Sequence, residues 1–188
     1  RRTIAVTASD WAKTYGQTLD LATVGYVASG MVNGDLVTSV TMGVTSDATP
    51  TPANQATAAS GSYTLTPSAA IFSVAAAASD YTVSTYNTGT LKIDPLAIVL
   101  FANNASKIYG NALTFTGTEY ALGSGGSLVG GDTLDSTNVM TLASTGTAGT
   151  SNVGSYLISL SGTPLISNGG NPATNNYLIS LAPGTLTV

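Results

Sequence analysis

Two lysines, Lys13 and Lys107, each stand two residues before a Tyr-Gly pair. Two aspartates, Asp35 and Asp132, each follow a glycine further along. The chain has only five Lys+Arg and nine Asp+Glu, so the recurrence in register of one residue of each sign points to an ion pair in each half, Lys13–Asp35 and Lys107–Asp132. Breaking such a pair costs about 3–5 kcal/mol when it is buried, and less than about 1 kcal/mol when both partners are solvated turn residues. A lysine in a β-module also raises an intramolecular isopeptide bond, which needs an Asn or Asp and a nearby carboxylic acid in an apolar core. Glu119 is the only glutamate and has no counterpart in the first half, which argues against it.

Other constellations are weaker. Trp11 is the only tryptophan and stands beside Asp10, a pairing suited to a sugar or protein contact. Its counterpart in the second half is Ala105, so the fold does not need an indole there. Calcium requires six to eight oxygens with converging carboxylates. The acids are scattered, and Asp94 with Asp10 or Asp47 is the best remaining geometry. Asp132 and Asp135 alone make a poor glycosidase pair. The stretch from Gly123 to Asp132 is glycine-rich but lacks the Lys-Ser/Thr of a phosphate loop, so it reads as a loop. Asn104-Ala105-Ser106 fits a glycosylation acceptor pattern.

Composition narrows the chemistry further. The 188 residues contain no His and no Cys, which removes imidazole bases, thiol nucleophiles, disulfides and the usual zinc ligands. Charged residues make up 7% and the net charge is -4, so no basic field exists to neutralise a nucleic-acid backbone. Thirty Thr and 21 Ser must therefore supply most of the polar surface. No stretch approaches eighteen uncharged apolar residues, so no membrane insertion is expected. Residues 1–4 lead into alternation rather than an apolar leader. No catalytic residue, cofactor or metal is expected, and the chain reads as a monomeric fragment.

The elements that position these residues occur twice. Ala12-Lys13-Thr14-Tyr15-Gly16 is answered by Ser106-Lys107-Ile108-Tyr109-Gly110, and Asn33-Gly34-Asp35 by Gly130-Gly131-Asp132. Gly61-Ser62-Tyr63 is answered by Gly154-Ser155-Tyr156, Asp80-Tyr81 by Asn176-Tyr177, and Gly89-Thr90-Leu91 by Gly184-Thr185-Leu186. Five anchors in one order define two modules, 1–94 and 95–188. The joint Ile93-Asp94-Pro95-Leu96 lacks a Ser/Gly linker, which predicts limited swing.

Within each module, apolar residues alternate with Thr or Ser, as in Ile4 and Val6, Tyr63 and Leu65, Tyr81 and Val83, Leu91 and Ile93. Period two with a hydroxyl-bearing wet face is the signature of half-buried antiparallel strands. Further strands are expected over 21–28, 40–44, 115–120 and 139–142, and one short helix per module over 35–39 and 132–136. The fold class is mainly β: two tandem small modules, elongated, each an immunoglobulin-like sandwich or a β-grasp-like unit. Tyr15, Tyr63, Tyr81, Tyr109, Tyr156 and Tyr177 are expected to be core or half-core aromatics, the alternative being a carbohydrate-stacking platform. Gly89 and Gly184, before the last strand of each module, read as tight turns. The loops 45–60 and 167–174 read as insertions.

In order and duplication these anchors resemble the MBG domains (YGX type) of bacterial surface proteins. The residues that carry the resemblance are Lys13, Tyr15, Gly16, Asp35, Tyr63, Tyr81 and Gly89, then Lys107, Tyr109, Gly110, Asp132, Tyr156, Tyr177 and Gly184. Asp80 stands where the family usually has Asn. The resemblance implies an extracellular or cell-surface location in a large bacterial adhesin of the filamentous-haemagglutinin or two-partner secretion kind. It implies stalk or spacer modules with neighbouring repeats as partners, and no catalytic residue. A second reading is a binding module that contacts glycan or a surface or matrix protein through Trp11, Asp10 and the loops 45–60 and 123–131.

Overall fold

The computed structural model describes residues 1–45, 52–73, 77–123, 126–135 and 137–188. The chain forms two compact units, Arg1–Asp94 and Pro95–Val188, both mainly β.

The first unit contains β1 (Arg2–Ala8), β2 (Trp11–Thr14), a 3-10 turn (Leu21–Thr23), β3 (Tyr26–Ser29) and β4 (Val37–Val44). It continues with β5 (Gly61–Phe72), a single helical turn α1 (Ala77–Asp80), β6 (Tyr81–Asn87) and β7 (Gly89–Asp94). Two sheets run in the orders β3-β1-β6 and β2-β7-β5-β4. They share a pair of bent strands. β1 runs into β2 across Ser9 and Asp10, and β6 runs into β7 across Thr88. β1 pairs with β6 and β2 with β7, both in parallel. Side chains alternate as the pleat requires. On β7, Gly89, Leu91 and Ile93 are buried while Thr90 and Lys92 face water. Ile4, Val6 and Tyr81 form a core cluster, with Phe72 stacked on Tyr81 at 5.8 Å between ring centroids.

The second unit repeats this plan with β8 (Leu96–Ala102), β9 (Ala105–Ser106), β10 (Tyr120–Leu122), β11 (Thr133–Leu134) and β12 (Thr141–Ala143). Then follow β13 (Ser155–Ser161), β14 (Ile166–Asn168), β15 (Asn171–Pro172), a 3-10 turn (Thr174–Asn176), β16 (Tyr177–Ala182) and β17 (Gly184–Thr187). The sheets β10-β8-β16 and β12-β13-β17-β9 match those of the first unit. The long β4/β5 hairpin is here divided into β12/β13 and β11/β14. β15 then turns back on β14 through Gly169 and Gly170, whose φ of 53° and 88° give the left-handed pair that a two-residue hairpin needs. The core gathers Leu100, Tyr120, Met140, Ile158, Leu160 and Leu186. No helix among the described residues is long and apolar enough to cross a membrane.

Several expectations are corrected. Residues 35–39 lead from a turn into β4, and 132–135 from a turn into β11, so neither span is the expected helix; Ser136 lies outside the described residues. An acidic residue suits a first helical turn, but here Asp35 and Asp132 close turns whose central residues are left-handed. The α-helical turn is instead Ala77–Asp80, in the first unit. Residues 21–28 split into a 3-10 turn and β3. Within 115–120 only Tyr120 is extended, at the start of β10. The span 167–174 is largely the β14/β15 hairpin and the start of a 3-10 turn. Much of 45–60 is described, but 46–51 lie outside the described residues.

Candidate functional site

The duplicated polar residues build three hydrogen-bonded locks, each present in both units. The first surrounds the Tyr-Gly turn. Gly16 and Gly110 have φ of 96° and 95°, a conformation that glycine adopts without steric cost. Lys13 Nζ donates to the carbonyls of Gln17, at 2.8 Å, and Gln55. Lys107 Nζ donates to those of Asn111, at 3.0 Å, and Ala148, at 2.6 Å. Main-chain bonds run alongside: Gly16 N to Ala56 O and Leu19 N to Asn54 O in one unit, Gly110 N to Gly149 O and Leu113 N to Thr147 O in the other. Each ammonium thus fastens the turn to the loop that precedes the strand β5 or β13. Burial pushes the pKa of Lys13 down.

The second lock holds the glycine–aspartate turn. Asn33 and Gly34 in one unit, and Gly130 and Gly131 in the other, all have positive φ. The turn closes through Asp35 N to Val32 O and Asp132 N to Val129 O. Tyr81 accepts from the Val32 amide and donates to Asp35 Oδ2 at 3.0 Å. Tyr177 accepts from the Val129 amide and donates to Asp132 Oδ2 at 2.6 Å, while Asn168 Nδ2 donates to Asp132 Oδ1. The expected Lys13–Asp35 and Lys107–Asp132 pairs are therefore replaced by lysine–carbonyl and tyrosine–carboxylate bonds. Among the described residues the ion pair found is Lys92–Asp94, an exposed one at 2.8 Å.

The third lock sits at the bend between the two sheets. A Cβ on Gly89 would lie 2.8 Å from the carbonyl oxygens of both Ala8 and Ser9, and one on Gly184 would fall onto that of Ala102. These glycines answer to close backbone approach. They are not tight turns, and neither has a positive φ. At the same bend Asp10 Oδ1 accepts from Thr90 N at 2.7 Å, and Asn104 Oδ1 from Thr185 N at 2.8 Å. The side chain supplies the ladder bond that the bending strand cannot make. Asp10 is thus a bend residue, and Asn104, the acceptor-pattern asparagine, is its counterpart.

The tyrosines divide. Tyr63 and Tyr156 are half-buried and each donates to a carbonyl four residues earlier, of Ala59 and Asn152, both at 2.8 Å. Tyr15 is buried, but Tyr109 is 58% exposed, against the expectation that it is a core or half-core residue. A seventh and an eighth, Tyr26 and Tyr120, form a further repeated pair that sequence reasoning missed. Their hydroxyls donate to Val37 O and Asn138 O. Counting every Tyr at matching offsets, rather than Tyr within motifs, would have found it.

Trp11 is 39% exposed on the edge strand β2, and with Lys13, Gln17, Thr18 and Asp20 it lines an open groove. No group of three or more His, Cys, Asp or Glu converges among the described residues. Asp94 pairs with Lys92 and Asp10 with Thr90; Asp47 lies outside the described residues. Glu119 folds onto its own turn. Burial works to raise the pKa of its carboxyl. Bonds from the Thr116 amide and hydroxyl, its own amide and that of Gly117 outweigh this and bring it down to about 2. Among the described residues the bonds from Lys13 and Lys107 go to main-chain carbonyls and not to a carboxyl group, so they do not show the arrangement an isopeptide bond needs.

The class these features define is a duplicated β-module whose recurrent polar side chains hold turns and bends. The family model for the MBG domain (YGX type) matches residues 4–92 and again 98–187, and the chain belongs to that family. No curated protein and no solved structure matches the chain.

Proposed function

We propose that this chain is a structural stretch of a large bacterial adhesin, secreted or held at the cell surface, whose modules extend a binding region away from the cell. The observation that carries this reading is where the duplicated polar residues act. Lys13 and Lys107, Asp35 and Asp132, Asp10 and Asn104 are all spent on holding backbone, in the same way in both units. A chain that repeats its scaffold in this way is suited to supplying length. The parallel pairing of the first strand of each unit, β1 or β8, with the strand before the last, β6 or β16, favours a β-grasp-like topology over a sandwich. Antibody raised against the chain should label intact producing cells, or their culture medium, and deleting the two modules should shorten the parent's reach while its binding survives. Labelling only after cell lysis overturns the reading.

A second reading has Trp11 and its groove contact a neutral saccharide. It is favoured by the partly exposed indole beside Gln17, Thr18 and Asp20, with alanine in its place in the second unit. Trp11 is the only tryptophan, so its fluorescence during a glycan titration reports on this groove alone. An unchanged spectrum across a glycan array excludes it.

A further inference from the structure

In each unit the chain enters and leaves along one two-stranded ribbon. Arg2 faces Tyr81 at one end and Thr14 faces Asp94 at the other. Ten register pairs join them, six between β1 and β6 and four between β2 and β7. The register shifts once, between Ile4 and Ala5, and then runs unchanged through the bend. In the second unit Leu96 faces Tyr177 and Ser106 faces Thr187, in one unbroken register.

The strands are parallel, so the first residue of the ribbon and its last lie at opposite ends. Tension on the chain termini pulls β1-β2 backward and β6-β7 forward along their shared ladder. That loads the ladder in shear, where its hydrogen bonds must fail together. A ribbon pulled from two points at the same end opens one bond at a time.

Side chains and main chain fasten the same ribbon along its length. Ser84 Oγ donates to Ile4 O at 3.1 Å, Asn87 Nδ2 to Thr7 Oγ1 at 3.0 Å, and Thr90 N to Asp10 Oδ1 at 2.7 Å. Tyr15 N to Asp94 O extends the ladder beyond β2. Thr185 N to Asn104 Oδ1 and Lys107 N to Thr187 O do the same work in the second unit. The inner face is dry, since Ile4, Val6, Leu91 and Ile93 are all at most 2% exposed, so on that side apolar packing backs the ladder.

We infer that each unit is a mechanical clamp, built to resist force applied through its chain ends. The inference rests on the stalk reading only in that a stalk carries tension between its ends. Surface labelling tests that reading and pulling the purified chain tests the clamp, so each can fail alone.

The chain has no cysteine, so introduced thiols are unique handles. With Arg1→Cys and Val188→Cys, end-to-end pulling should give two abrupt events. Each should release roughly 300 Å of chain, the extended length of a 94-residue unit. With Arg1→Cys and Thr82→Cys, both handles lie at the same end of the ribbon of the first unit, which should yield at several-fold lower force. Pro95→Cys with Leu178→Cys applies the same geometry to the second unit, at two exposed positions. Melting temperatures matching the parent show that the variants are folded. Equal rupture force in both geometries, or end-to-end opening without abrupt events, overturns the clamp.

Discussion

Tyr177 donates its hydroxyl to Asp132 Oδ2 across 2.6 Å in the second unit, and Tyr81 donates to Asp35 Oδ2 across 3.0 Å at the matching place in the first. The two bonds are the same lock in different surroundings, since Asp132 is buried and Asp35 half-buried.

That difference sets the size of the effect when the hydroxyl is removed. Tyr177→Phe leaves a buried carboxylate with one fewer donor, which costs about 1–3 kcal/mol. Tyr81→Phe leaves a carboxylate that water can reach, and its cost should fall near the low end of that range. Thermal melting of the two variants should rank them in this order. A reversed ranking means that burial does not set the cost of this bond.

The lysine lock makes a parallel claim. Lys13→Met removes the donor to two carbonyls, and the loss should be about 1–3 kcal/mol. Lys107→Met removes the same two bonds from a more exposed site and should cost less. An ion-pair reading expects the loss to be matched by Asp35→Asn in a double-mutant cycle. The structure expects no coupling between Lys13 and Asp35, because they serve different turns. A coupling energy above about 0.5 kcal/mol contradicts it.

Much of this plan was legible in the sequence, because the anchors recur in order and alternation marks the strands. Partner choice was not. Lys13 and Asp35 recur in register with each other, yet register along the chain does not say which turn folds onto which loop. The bend was hidden for a different reason. Asp10 and Asn104 carry different letters but the same acceptor oxygen, and Gly89 resembles any turn glycine until the carbonyls of Ala8 and Ser9 are placed beside it. The exposure of Tyr109 could not be read from its motif, since Tyr15 in the same motif is buried.

The bend glycines separate crowding from backbone strain. Gly89→Ala and Gly184→Ala each drive a Cβ against carbonyl oxygens held in a paired ladder, which cannot move aside cheaply. A loss of about 1–3 kcal/mol or more is expected. Gly34→Ala meets nothing within 4 Å, and its penalty comes from φ of 78° alone, about 1–2 kcal/mol. The discriminating variant is Gly→Asn, since asparagine tolerates the left-handed region. Gly34→Asn should recover most of the loss, and Gly89→Asn should recover none. Recovery at Gly89 would place that residue in a turn after all.

Acid should weaken the second unit. In the folded chain the Glu119 carboxyl is held at about 2, below its ordinary value of 4.5, by the hydrogen bonds it accepts from Thr116, Gly117 and its own amide. A group whose pKa is depressed on folding contributes stability that is fully present above its unfolded value. That contribution is lost as pH falls from about 4.5 toward 2. Asp135, whose pKa is lowered by the Thr137 hydroxyl and amide, adds in the same direction and in the same unit. Both residues are only half-buried, so solvent screens the effect and keeps it modest. The second unit should nevertheless lose stability through these two groups between pH 5 and pH 2. Glu119→Gln keeps a carbonyl acceptor for the Thr116 amide but cannot titrate. It should lower stability at pH 7 and flatten the acid limb of the second unit's melting curve, leaving that of the first unit unchanged. An acid limb equally steep in Glu119→Gln and parent would show that this turn carries none of the pH dependence.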